Sequence, residues 1–203
     1  MTFKVSTLRG VEGLSWLLGI ALSGFFLSQL ALNEAERVSA IKAFELASAS
    51  GAPDQSLWSD ERIEAFEVTR SLAPDRVEAV LFIPDLDLKV PVYADASDLV
   101  MNLGAGLIPG TAGPDEAGNI GIAGHRDGYF RVLKDIEIGD TLTLQTPRGE
   151  RRYRVQETLI VDPIDVDVLD ATDQSSVTLV TCYPFYFVGS APQRFVVKAQ
   201  LDI

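Results

Sequence analysis

Two rhythms of apolar and polar positions divide the chain near residue 76. Downstream, the apolar residues come in short runs. Val77–Ile83 is the first of them, and Leu86–Val90 alternates apolar with polar, as a half-buried strand does. Pro91-Val92-Tyr93 follows, and Asp98–Leu103 reads as a single helical turn ended by Gly104 and Gly106. Residues 108–118 are a Gly/Pro-rich connection. Asn119–His125 is a strand of small residues, and glycines inside a strand mark the close approach of another chain segment or a ligand. Gly128–Leu133 suggests a turn with aromatic packing. Thr141–Leu144 and Tyr153–Val155 read as a hairpin around Pro147-Arg148-Gly149. An acidic loop, Asp162–Asp173, separates them from two last strands that carry Thr178–Cys182 and Arg194–Leu201. About seven or eight short strands with few helices between them predict an all-β barrel or sandwich.

Upstream the pattern is helical. Leu14–Leu32 runs for nineteen residues without a formal charge, and about twenty helical residues span a bilayer core. A cleaved signal peptide has a shorter apolar region and a small-residue cleavage pattern, and a soluble core helix seldom stays apolar all round. The run therefore predicts a retained transmembrane helix. Lys4 and Arg9 precede it, while Glu34, Glu36 and Arg37 follow, which places the N-terminus in the cytoplasm and the rest outside. Trp16 suits an interfacial aromatic. Asn33–Ala49 continues with good helix formers, and Ser50-Gly51-Ala52-Pro53 breaks it. A second helical pattern opens at Ser59 with Glu61 and Arg62 and runs to Ser71, with Ile63, Phe66 and Leu72 on one face. It reads either as a helix packed on the edge of the globular domain or as part of a linker. The organisation expected is a cytoplasmic N-terminus over 1–13, an anchor over 14–32, a helical stalk or linker over 33–75 and a globular domain over 76–203.

Composition narrows the chemistry. The net charge of −12 argues against a nucleic-acid partner, since no basic stripe offsets the acid. One Cys and one His exclude a disulfide framework and a usual zinc site. Neither a phosphate-binding loop nor a G-x-S-x-G elbow is present. The aspartates of Asp162–Asp173 suggest Ca²⁺ ligation less than they suggest a solvated loop.

Three residues remain. By type alone, Cys182 reads as a small buried hydrophobe, His125 as a hydrogen-bonded structural residue and Arg194 as a surface ion-pair partner. Their positions say more. Cys182 ends one strand, with Pro184 close behind it. His125 ends another, before the turn Arg126-Asp127-Gly128, and Arg194 opens the last. A thiol must become a thiolate to attack a carbonyl, and neighbouring cations favour that state. An arginine on the adjacent strand suits an oxyanion or a substrate carbonyl.

Thr178-Leu179-Val180-Thr181-Cys182 resembles the T-L-x-T-C signature of the sortases. Arg194 resembles the arginine on the strand that follows it, and Asn119–Arg126 resembles the strand that delivers the family's catalytic histidine. The resemblance runs from about Val77 to Leu201, and Tyr183-Pro184-Phe185 looks closest to class D and related Gram-negative sortases. It implies a closed barrel of about eight strands. It also implies a cysteine transpeptidase that needs no cofactor and cuts an LPxTG-like sorting signal in a secreted protein. Cys182 is then the nucleophile, forming a thioacyl enzyme. His125 is the general acid and base, Arg194 the oxyanion and orienting residue, and Thr181 a supporting hydrogen-bonding group. An amine acceptor resolves the intermediate. The implied location is the bacterial cytoplasmic membrane, single-pass, with the domain on the extracytoplasmic side. A non-catalytic anchored β-barrel that binds peptide or cell wall, and a cysteine peptidase that only hydrolyses, are the competing readings.

Overall fold

The computed structural model describes residues 16, 18–29, 53–71, 77–186 and 189–202. The chain divides into two compact units, 1–41 and 42–203. In the first, residues 18–29 are helical with exposed side chains. The expected transmembrane helix is not supported here. Among the described residues no helix is long and apolar enough to cross a membrane. The remainder of the 14–32 expectation, and the stalk over 33–52, lie outside the described residues.

The second unit holds eight strands. They are β1 (Val77–Ile83), β2 (Leu88–Tyr93), β3 (Ala105–Leu107), β4 (Asn119–Gly124), β5 (Thr141–Thr146), β6 (Gly149–Val161), β7 (Ser176–Tyr183) and β8 (Gln193–Leu201). They close into a barrel in the order β1-β2-β3-β4-β7-β8-β6-β5. Neighbours are antiparallel except at two joints, β2–β3 and β4–β7. Alternation along each strand sends one set of apolar side chains inward. Leu81, Ile83, Ile120, Ile122, Leu179 and Tyr153 meet there with no exposed surface.

Two helices cover part of the outer surface. Helix α1 is Asp60–Arg70 and α2 is Asp98–Leu103. Ser59 caps α1 by accepting from the Arg62 N–H, and Asp60 and Glu61 in the first turn complement the helix dipole. Phe66 is buried with Val77, Val80, Tyr93, Val100 and Leu103 in a second apolar cluster outside the barrel. Trp58 completes it, its ring centroid 5.6 Å from Phe66 and 4.9 Å from Tyr129. The choice left open between packed helix and linker is thereby resolved for 60–70, while Leu72 lies outside the described residues.

Three strand boundaries differ from the sequence expectation. Leu86–Val90 and Pro91–Tyr93 form one strand with a later start, because Pro84–Leu86 makes a 3-10 turn and Asp87 takes a left-handed φ of 48°. Pro91 is tolerated since the β2–β3 ladder begins one residue later, at Val92. β6 runs for thirteen residues rather than three, because its charged outer positions hide its alternation. β3 falls at the glycines that read as the end of the helical turn. Its glycine is needed for space, since a Cβ on Gly106 would stand 1.9 Å from the Asp95 carbonyl oxygen. The same holds in β4, where a Cβ on Gly124 would meet the buried Phe130 ring at 2.8 Å.

Replacing Gly106 by alanine therefore forces β3 away from the Asp95–Ala96 backbone that follows β2, next to the β2–β3 joint. The expected loss is about 1–3 kcal/mol or more, read as a lower urea midpoint. An unchanged midpoint would show that the joint has slack.

Candidate active site

The site lies where β4, β7 and β8 run side by side. On β7, Val177 and Leu179 belong to the core and Thr181 is buried, so alternation turns Thr178, Val180 and Cys182 to the outer face. On β8, Val197 and Ala199 point inward, so Arg194 faces out. On β4, Ile120 and Ile122 point inward, and the same alternation carried one residue beyond the strand turns His125 outward.

Register brings the three to one row. Cys182 stands directly opposite Arg194 in the antiparallel β7–β8 ladder. Ala123 stands opposite Val180 in the parallel β4–β7 ladder, and two steps further along both strands put His125 level with Cys182. One hydrogen bond spans the intermediate row, from Thr181 Oγ1 to the Gly124 carbonyl at 2.7 Å. Thr181 thus faces inward and fastens the two strands that carry Cys182 and His125.

The three differ in their surroundings. Cys182 is a free, half-buried thiol. The Arg194 guanidinium donates to the Gln193 carbonyl at 3.0 Å and the Ala191 carbonyl at 3.4 Å, so in this state it is folded onto its own loop. The His125 Nε2 is buried without a hydrogen-bond partner. Burial holds the His125 pKa below its ordinary value of 6.5, and the Arg62 cation pushes the same way, against Asp127 and Asp98. Asp127 sits below the ordinary carboxylate range: burial raises it, but its ion pair with Arg62 at 3.1 Å outweighs that.

The loop after Cys182 is strapped to the turn after His125. Arg126 donates through Nη1 to the Pro184 carbonyl at 3.1 Å and through Nη2 to the Gly189 carbonyl at 2.8 Å. Arg131 Nε donates to the Arg126 carbonyl at 2.8 Å, and its guanidinium stacks 4.7 Å from the Tyr186 ring centroid. Tyr183, Phe185 and Phe195 pack at the loop's base, with Phe185 and Phe195 centroids 5.3 Å apart.

Residues 81–202 match the family model of the sortase domain. The chain belongs to the sortase family. It is 30% identical to Sortase D of Bacillus subtilis over 184 residues, 88% of this chain and 91% of that relative. A solved Clostridium perfringens Sortase D5 transpeptidase superposes with a TM-score of 0.60 at 23% identity, covering 82% of this chain and 99% of that one. Streptococcus agalactiae sortase C1 gives 0.60 at 24% identity over 82% of this chain and 91% of its own. Sortases are cysteine transpeptidases that act on the sorting signals of cell-surface proteins, and this sortase is an enzyme of that type.

Arg62, Asp127, Asn119 and Arg126 also shape this sortase site, and no pattern along the chain assigns a role to any of them. Arg62 reads as a helix opener, and Arg126 and Asp127 read as a turn. Buried Asn119 donates from Nδ2 to the Val168 and Asp170 carbonyls at 3.3 and 3.1 Å and accepts from Thr178 Oγ1 at 2.7 Å. It thereby ties the acidic loop to β4 and β7. In that loop the Asp165 carboxylate accepts from the Asp162 N–H at 3.0 Å. Among the described residues no group of three or more His, Cys, Asp or Glu side chains could hold a metal ion.

Thr181→Val keeps shape but leaves the Gly124 carbonyl without its partner. The expected loss is about 1–3 kcal/mol, measured as a urea midpoint against wild type. A second outcome concerns pH. A depressed folded pKa for His125 means that the unfolded chain binds the proton first. Its stabilising contribution is present above about pH 6.5 and is lost as pH falls below it. Wild type should lose stability between pH 7 and 5 more steeply than His125→Gln, and parallel curves would contradict the stated shift.

Proposed function

We propose that the chain is an envelope-anchored sortase of the class D type whose catalytic row is His125, Cys182 and Arg194. The observation that supports it is the shared level and outer face of these residues on three adjacent strands. The Cys182 thiolate attacks the carbonyl carbon of a peptide bond in an LPxTG-like signal. Arg194 swings from its own loop carbonyls to donate to the oxyanion. The C–N bond breaks, His125 gives its proton to the leaving amine, and a thioester on Cys182 remains. An acceptor amine then attacks the thioester while His125 takes its proton, which releases the new amide and restores the thiolate beside a protonated His125.

The depressed His125 pKa favours a neutral imidazole at rest. The thiolate–imidazolium pair is then a minority form, and the rate follows a bell-shaped pH profile that belongs to the pair. Anchoring rests on the uncharged run Leu14–Leu32 and its flanking charges, with the barrel outside the cytoplasm. The substrate is a secreted protein with a C-terminal sorting signal, and the acceptor is an amine of the envelope or of a partner protein.

The test uses the full chain in detergent with a fluorogenic peptide bearing an LPxTG-like motif. Cys182→Ala should lose more than about a thousandfold in turnover. Mass spectrometry should show the peptide joined to an added amine. Equal turnover in wild type and variant, or none in either across a panel of motifs, would sink the proposal. Hydrolysis unaffected by amine would favour a simple peptidase.

A further inference from the structure

The turn that carries His125 is held from outside the barrel. Both carboxylate oxygens of Asp127, two residues after His125, are occupied by the start of α1. Arg62 Nε donates to Oδ1 at 3.1 Å, and Ser59 Oγ donates to Oδ2 at 3.3 Å. The other arm of Arg62 reaches Asn102 Oδ1 on α2, and Asn102 Nδ2 returns to Thr69 Oγ1 of α1 at 3.3 Å. The aliphatic stem of Arg62 lies along the turn, where a Cβ on Gly128 would stand 3.4 Å from its Cδ. The Arg62 side chain keeps only 16% of its exposure, whereas the Arg152–Glu150 pair on β6 keeps 65% and 47%. A guanidinium taken this far out of water needs its hydrogen bonds met, and here they are met at the turn and at α2.

We propose that Arg62 is a positioning residue for His125, holding through Asp127 the turn that carries the imidazole and setting how readily it takes a proton. This rests on the reading of His125 as the acid and base. Other charged or titratable groups around the ring are Asp127 on its own turn, Asp98 at the start of α2 and Cys182 level with it on β7. Arg126, next in sequence, is directed to the β7–β8 loop.

Arg62 acts in two ways with one sign. Its cation opposes a second positive charge on the imidazole, and its ion pair mutes the Asp127 carboxylate that would favour that charge. Protonation would moreover put a donor on Nε2, which is buried without a partner. Removing Arg62 both withdraws the opposing cation and exposes His125 to an unpaired Asp127. Removing the Asp127 charge does the reverse.

The chain has a single histidine, so one imidazole resonance reports its titration without assignment. The test is an NMR pH titration of the full chain in detergent, without substrate. Arg62→Gln should titrate at higher pH than wild type, Asp127→Asn at lower pH, and Arg62→Lys between wild type and Arg62→Gln. The acidic limb of the kcat/KM profile should move in the same directions, with kcat changing more than KM. Coincident titrations, or shifts of both charge-removing variants in one direction as a merely loosened turn would give, overturn the proposal. Should Arg62→Gln fail to fold, Arg62→Lys and Asp127→Asn still decide it. The titration needs no turnover, so a failure of the transpeptidase reading shows in the Cys182→Ala assay alone.

Discussion

Everything at the site depends on the parallel pairing of β4 with β7. That ladder decides that His125 and Cys182 stand level rather than staggered, and the Thr181 hydroxyl locks it one row below the thiol. A slip of one residue would send Cys182 to the barrel interior and Thr181 to solvent, since side chains alternate faces. Close packing enforces the register as well. The glycines of β4 leave room for Phe130, Thr111 and Ile108 and for no larger residue. The antiparallel β7–β8 ladder then adds Arg194 without any further device.

The electrostatics follow from where each charge is housed. Arg194 is kept close to Cys182 but occupied by local carbonyls, and Arg62 is kept close to His125 but occupied by Asp127. Neither cation is free in the resting site. The imidazole, buried and faced by a guanidinium, stays neutral more readily than an exposed one. The resting site thus holds the imidazole neutral while leaving the geometry of the row in place.

The strand pattern was largely legible from alternation; the count of strands with their Gly and Pro punctuation led as far as a barrel or sandwich, and the sortase resemblance implied the closed barrel. The meeting of Cys182, His125 and Arg194 was legible because each sits at a strand end beside a turn or loop. What alternation missed has physical reasons. β3 is three residues long and exists through space freed by Gly106 rather than through β propensity. β6 is a charged ribbon whose outer face masks its inner one. Asn119 looked like the first residue of a strand, and Arg62 like the first turn of a helix. Their roles come from partners far along the chain, 49 to 59 residues away for Asn119 and 65 for Arg62, and no local pattern encodes such a pairing.

The Thr181–Gly124 bond joins residues 57 apart in sequence, across β5 and β6. A chain made from its N-terminus thus completes β1 to β6 before Cys182 exists, and Arg194 comes later still. Contacts of such separation form late, because their loops must close before they are rewarded. The thiol meets its histidine only when the barrel shuts. Alignment of the row is in this sense a certificate of completed folding, and a truncated or half-folded copy has no such row.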